Sequence, residues 1–154
     1  MLVRFKLNDG IIAEEANPNE TLLDFLRNRA KVGSVKKGCD EGACGTCTVL
    51  FNGKPVRSCL ILAVQASEAE ITTVEGLAKR GELSEIQEAF LEKYGFQCGF
   101  CTPGMILTTR ALLDQNPHPT IEDIKDAFEG NLCRCTGYEQ IIESVLRAAE
   151  MRTR

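Results

Sequence analysis

The residues of this sequence best able to do chemistry are its eight cysteines: Cys39, Cys44, Cys47, Cys59, Cys98, Cys101, Cys133 and Cys135. They form two groups of four, separated by residues 60–97, which contain none. Two sites of four thiolates each is the simplest arithmetic. Cys133 and Cys135 stand one residue apart in NLCRCTGY, and a disulfide across a single residue would strain the Cα and Cβ geometry that the bond requires. Two thiolates facing a common partner need no such strain.

The first group is spaced C-x4-C-x2-C-x11-C, with Gly38, Gly42 and Gly45 threaded through its loop. A C-x4-C-x2-C run followed by a distant fourth cysteine is the plant-type [2Fe-2S] arrangement. Glycines suit it because the backbone must wrap a compact inorganic core, enter left-handed conformations and aim N–H groups at sulfurs, which helps to set the potential. Four thiolates also hold a closed tetrahedral zinc. Zinc ribbons prefer paired C-x2-C knuckles, however, and the glycine-studded loop fits a wider, two-iron object.

The second group is spaced C-x2-C-x31-C-x1-C, which by itself leaves zinc open. Two thiolates one residue apart can bind the same iron of a two-iron centre if the backbone turns sharply, and Thr136-Gly137 supplies a turn. CGFCTPGMIL and CRCTGYEQII share a pattern, a cysteine pair followed by threonine and a glycine near a helix start. Each pair then sits at a helix N-terminus, where free N–H groups and the dipole favour an anionic metal–thiolate centre.

The elements that must position these groups are legible in outline. Val3, Phe5 and Leu7 alternate with polar residues, Asn8-Asp9-Gly10 turns the chain, and Ile11 and Ile12 begin a returning strand. TLLDFLRNRA puts Leu22, Leu23 and Leu26 on one face of a short helix, and VGSVKKGCDEGACGTC has no period and reads as a loop. TVLFN, Gly53 and KPVRS make a second hairpin, and AEITTVEGL holds a last strand. After about residue 75 helical spacing takes over. Ser84 to Gln87 is a capping box for a helix running to Tyr94 and stopped by Gly95. Thr102 caps a helix with Pro103 at its first position, Thr120 caps one reaching Gly130, and YEQIIESVLRAAE forms the last, with Ile141, Ile142, Val145, Leu146 and Ala149 as its apolar stripe.

The chain has 154 residues, 44% of them hydrophobic and 26% charged, ordinary values for a globular protein with a core. Its net charge of -4 and the lack of a basic stripe interleaved with aromatics argue against a nucleic-acid partner. No stretch has the apolar length needed to span a bilayer, and MLVRFKLNDG has no signal-peptide pattern. A cytoplasmic location is expected, and reducing cytosol favours metal or redox roles for the cysteines over disulfides.

KKGCDEGACGTCTVLFNGKPVRSC, with QCGFCTPGMI and GNLCRCTGY, resembles the iron-sulfur subunit of the molybdenum hydroxylases. That family includes xanthine dehydrogenase, aldehyde oxidase, carbon monoxide dehydrogenase, nicotinate dehydrogenase and 4-hydroxybenzoyl-CoA reductase types. The resemblance covers essentially the whole chain. Plant ferredoxins close their site after a much longer final gap, so the eleven-residue gap agrees with the hydroxylases instead.

The resemblance implies an α+β protein: an N-terminal β-grasp, plant-ferredoxin-like domain at residues 1–75 and a C-terminal four-helix domain at 76–154. It implies a [2Fe-2S] cluster on Cys39, Cys44, Cys47 and Cys59, and another on Cys98, Cys101, Cys133 and Cys135. Gln97 is implied to hydrogen-bond near the molybdopterin of a large partner subunit, while a medium subunit carries FAD, in a complex that is a dimer of heterotrimers. The implied role is electron transfer, with no substrate chemistry on this chain: there is no phosphate-cradling glycine motif and no supported catalytic carboxylate pair or nucleophile. A stand-alone two-cluster ferredoxin and a zinc-stabilised interaction module are the rivals. His118, between two prolines, reads as a surface turn; Lys36, Lys37 and Arg134 read as solvated; Phe100 and Met105 read as helical core.

Overall fold

A computed structural model describes residues 1–153. Arg154, the end of the expected helical domain, lies outside the described residues. In the first half, strands β1 (Leu2–Leu7), β2 (Gly10–Glu15), β3 (Thr48–Phe51), β4 (Lys54–Arg57) and β5 (Glu70–Thr72) form one mixed sheet in the order β2-β1-β5-β3-β4. Only β1 and β5 pair in parallel. Val3, Phe5 and Leu7 point into the core while Leu2, Arg4 and Lys6 face out, the period of two seen in the sequence. Helix α1 (Leu22–Asn28) lies on this core face, started by the Thr21 hydroxyl, which accepts the Asp24 N–H at 3.1 Å. At the β3–β4 turn, Asn52 and Gly53 both adopt positive φ, as a two-residue hairpin of the right twist requires.

Four helices make the second half: α2 (Glu85–Glu92), α3 (Thr102–Gln115), α4 (Ile121–Ala127) and α5 (Glu139–Arg152). The expected α+β class is what is observed. Each of these four helices has a boundary that differs from expectation, that of α5 lying beside the second cysteine group. The left-handed residue that ends α2 is Tyr94 rather than Gly95, and the Gly95 N–H closes the turn on Phe90 O at 2.9 Å. Gly95 is required for a different reason: a Cβ there would meet Ser144 of α5. Helix α4 stops at Ala127, because buried Phe128 anchors a turn in which the Asn131 N–H returns to Phe128 O at 2.9 Å. Helix α3 already begins at Thr102, so Cys101 is the N-cap and Pro103 the second helical residue. The Thr102 hydroxyl therefore makes no cap, and it is buried without a hydrogen-bond partner among the described residues.

The two halves dock through β3. Its Val49 enters the core beneath α1, while Leu50, on the opposite face, is buried among Met105, Ile106 and the other helical residues. Strand β3 is thus covered on both sides, and helix α3 lies across it.

Candidate metal centres

The first cysteine loop is built by the β3–β4 hairpin. Cys47 immediately precedes β3, and Cys59 follows β4 after Ser58, in the short 3-10 turn Ser58–Leu60. The eleven intervening residues are therefore the hairpin and Ser58, which return Cys59 Sγ to 3.4 Å from Cys47 Sγ. Cys39 sits at the other end of the loop, its sulfur receiving N–H groups from Glu41 at 3.5 Å and Cys44 at 3.3 Å. Gly42 and Gly45 both have positive φ, as expected of a loop curled around an inner object. A side chain at Gly38 would collide with Cys44 Sγ, so that glycine keeps the loop clear.

The second group is assembled from two helix starts. Cys98 and Cys101 precede α3, and Cys133 and Cys135 precede α5. Cys135 Sγ lies 3.6 Å from Cys98 Sγ, and Cys133 and Cys101 are near enough for each to shift the other's ionisation. The two thiols of the C-x1-C turn therefore separate, each facing one thiol of C-x2-C rather than a shared point. The sequence allows both thiolates of the turn to bind one iron; in the structure the Cys135 sulfur is paired with Cys98. The turn is held by Tyr138, which adopts φ 72 and so starts α5 one residue later than expected. Its phenol accepts the Cys133 N–H at 2.9 Å and donates to Asn131 O at 3.0 Å.

Both groups thus present their sulfurs as close pairs. Among the described residues, no three Cys, His, Asp or Glu side chains converge on a point that one ion would occupy. Two thiolates sharing a tetrahedral metal at about 2.3 Å lie about 3.8 Å apart, close to the separations of both measured pairs. Paired thiolates are what a two-metal centre asks for, and the chemistry of the donor set fits [2Fe-2S].

Electrostatics divide the thiols. Burial pushes Cys59 up to about 12, and burial does the same to Cys101, also to about 12. The N–H groups of Glu41 and Cys44 draw Cys39 down to about 7. At Cys133 burial opposes ionisation, yet the hydroxyl and N–H of Thr136 outweigh it and hold the thiol below its ordinary range. Cys59 and Cys101 give up their protons only to a cation, so binding a metal there releases protons.

Sequence reasoning missed the seam that joins the groups. The Leu132 N–H donates to Cys44 O at 2.9 Å, linking the residue before Cys133 directly to a cysteine of the first loop. Buried Asn131 donates to Gly45 O and to Thr48 Oγ1, both at 3.3 Å, and accepts from the Thr108 hydroxyl at 3.1 Å. Arg57 donates to Gly130 O at 2.6 Å. Asn131 and Tyr138 flank the cysteines in NLCRCTGY, and a buried-type polar residue beside a metal motif was the available signal. Gln97 is exposed beside Cys98; Phe100 and Leu132 are also exposed there, together with Arg134. Exposure corrects the core reading of Phe100, whereas Met105 is fully buried as expected. His118 is exposed in its turn, and Lys37 pairs with Asp24 and Asp40 at 3.0 Å.

Comparison with known proteins agrees with this geometry. Residues 5–78 match the family model described as a 2Fe-2S iron-sulfur cluster binding domain, and residues 73–146 match a [2Fe-2S] binding domain. The chain is 53% identical over 148 residues to the nicotinate dehydrogenase small FeS subunit of Eubacterium barkeri, covering 96% of this chain and 94% of that one. It superimposes on quinoline 2-oxidoreductase from Pseudomonas putida 86 with a TM-score of 0.96 and 41% identity, covering 99% and 96% of the two chains. The aldehyde oxidoreductase of Desulfovibrio desulfuricans matches with a TM-score of 0.94 and 40% identity over 99% of this chain, but only 17% of its own.

Proposed function

This chain belongs to the iron-sulfur small-subunit family of the molybdenum hydroxylases, and we propose that it relays electrons between a molybdopterin-bearing large subunit and an FAD-bearing medium subunit. Its family members are subunits of oxidoreductase complexes. A [2Fe-2S] cluster supplies one-electron redox chemistry. In this reading Cys39, Cys44, Cys47 and Cys59 of a domain at residues 1–75 hold one cluster, and Cys98, Cys101, Cys133 and Cys135 of a domain at residues 76–154 hold the other. Each thiol pair, Cys47 with Cys59, Cys98 with Cys135 and Cys101 with Cys133, then belongs to one iron. Backbone N–H groups aimed at Cys39 and Cys133 temper the negative charge that reduction adds.

The observation that carries the relay is the Leu132 N–H to Cys44 O hydrogen bond. It gives the two sites a path that crosses a single hydrogen bond between backbone segments that carry the ligands. Exposed Cys98, Cys135, Phe100 and Leu132 form a face suited to a partner, and Gln97, exposed beside Cys98, is the residue assigned to the molybdopterin contact. The proposed complex is a dimer of heterotrimers located in the cytoplasm; among the described residues no helix is long and apolar enough to cross a membrane.

The test is purification of the complex with iron, sulfide, molybdopterin and FAD analysis, and EPR of the reduced protein. Two distinct [2Fe-2S] signals with both partners present are expected. A brown monomer that never associates with either partner would instead favour a free ferredoxin, and a colourless protein with stoichiometric zinc would overturn the reading.

A further inference from the structure

Among the described residues, two side-chain hydroxyls touch cysteine sulfurs. Thr46 Oγ1 lies 3.2 Å from Cys44 Sγ, and Thr136 Oγ1 lies 3.1 Å from Cys133 Sγ. A hydroxyl has one hydrogen and two acceptor lone pairs, so what it can give a sulfur depends on its other partners. Thr46 also donates to Lys36 O at 3.3 Å, so a carbonyl and a sulfur compete for its one hydrogen. The Thr136 oxygen instead accepts the Tyr138 N–H at 3.2 Å, which occupies a lone pair and leaves the hydrogen for Cys133 Sγ. The same sulfur receives the Thr136 N–H at 3.4 Å.

Tyr138 is what fixes this arrangement. Its N–H reaches back to Thr136 across the left-handed Gly137, and its phenol accepts the N–H of Cys133. A thiolate bound to metal carries no proton, so at Cys133 the hydroxyl must be the donor. The two centres differ in this respect: the second has a hydroxyl committed to a ligand sulfur, and the first has one that is shared.

We propose that Thr136 raises the reduction potential of the second centre by donating its hydroxyl hydrogen to Cys133 Sγ. This rests on the reading that Cys98, Cys101, Cys133 and Cys135 hold a [2Fe-2S] cluster. Reduction adds one electron and therefore negative charge, which spreads onto the ligand sulfurs. A charge-assisted O–H···S bond strengthens as that charge grows, so it favours the reduced form. No covalent bond forms or breaks, and the proton stays on the Thr136 oxygen.

The test is an EPR-monitored redox titration of the purified complex carrying Thr136→Val or Thr136→Ser. At a fixed potential, Thr136→Val should shift the second centre about tenfold towards its oxidised form, about 59 mV for one electron, and leave the first centre unchanged. Thr136→Ser keeps the hydroxyl and should restore the unsubstituted potential. In heavy water, ENDOR should show, beside the deuteron of the Thr136 N–H, a hydroxyl deuteron at Cys133 Sγ that Thr136→Val removes and Thr136→Ser retains; a merely structural role would not move this signal. Should Thr136→Val fail to assemble the second centre, Thr136→Ala carries the same comparison. Thr46→Val should shift the first centre less, and an equal or larger shift would overturn the argument from hydrogen competition. An unshifted second potential with the deuteron signal intact would overturn the proposal. No second [2Fe-2S] signal in the unsubstituted complex would instead refute the cluster assignment itself.

Discussion

Asn131→Ala tests whether the seam between the two halves is as specific as its hydrogen bonds suggest. The amide is buried, and its three hydrogen bonds reach both halves: Gly45 O and Thr48 Oγ1 on one side, the Thr108 hydroxyl on the other. Truncation does not orphan all three. Gly45 O keeps the Thr48 hydroxyl at 2.6 Å and the Thr48 N–H at 3.1 Å, and Thr48 Oγ1 keeps its donor role. Thr108 loses its acceptor, although it can rotate to the carbonyl one turn back, as neighbouring Thr109 does to Met105 O at 2.8 Å. Three net hydrogen bonds of about 1 kcal/mol each, two of them long, less the partial rescue of Thr108, give a destabilisation of about 2 kcal/mol. For a chain of this size that is a fall in Tm of about 4–8 °C. Thermal and urea unfolding followed by far-ultraviolet circular dichroism, with visible absorbance reporting the clusters, measures it. A loss below about 0.5 kcal/mol, the range of an ordinary surface change, would refute the view that Asn131 fastens the two halves together.

Gly45→Ala and Gly53→Ala separate backbone strain from collision. Both positions are left-handed, but a Cβ at Gly53 meets open space whereas one at Gly45 runs into Gly130 O and Asn131. Gly53→Ala should cost about 1 kcal/mol and keep full iron content, while Gly45→Ala should lose iron from the first centre; equal effects would show that the seam yields freely. Cys135→Ser should abolish the EPR signal of the second centre and spare the first, and simultaneous loss of both in a folded chain would contradict the division of ligands. Glu20 pairs with Arg29 at 2.9 Å, and that hydrogen bond holds its carboxyl below the ordinary carboxylate range. The pair's contribution is therefore present above the unfolded value of about 4.3 and is lost as pH falls through the lower folded one. Urea midpoints of the unsubstituted chain should converge on those of Glu20→Gln as pH drops below about 4, and a gap independent of pH would refute the linkage.

What was legible in the sequence was whatever depends on local spacing. Val3, Phe5 and Leu7 declared a strand by alternation, Asn52-Gly53 declared a hairpin, and the cysteine gaps declared two metal-type sites, because each signal is carried by residues within a few positions of one another. Helix ends were less legible where tertiary demands intervened. Tyr94 takes the left-handed position that a glycine would take more easily, because Gly95 is needed one residue later for the approach of Ser144. Thr102-Pro103 looks like a cap and a first helical residue, yet Cys101 already has helical backbone angles. That choice leaves the Thr102 hydroxyl buried and unpartnered.

The seam was the least legible feature, for a reason that bears on function. Its central link, Leu132 N–H to Cys44 O, uses only backbone atoms, so any residue but proline at 132 would supply the donor and no residue type announces it. What the sequence encodes is the support: Asn131 to occupy a buried polar position, Tyr138 to hold the turn, and glycines at 45 and 130 to let the loops approach. A Cβ at Gly130 would collide with the Arg57 guanidinium, and one at Gly104 would come within 2.6 Å of Gly45 O. These residues lie next to the cysteines in the chain but act across the interface between the halves. Leu132→Pro therefore separates support from link: it deletes the one donor while keeping Asn131 and Tyr138. If the backbone bond carries the coupling between centres, magnetic interaction between the two reduced clusters should weaken in this variant even where both assemble. An undiminished interaction would mean that proximity alone, and not that bond, connects them.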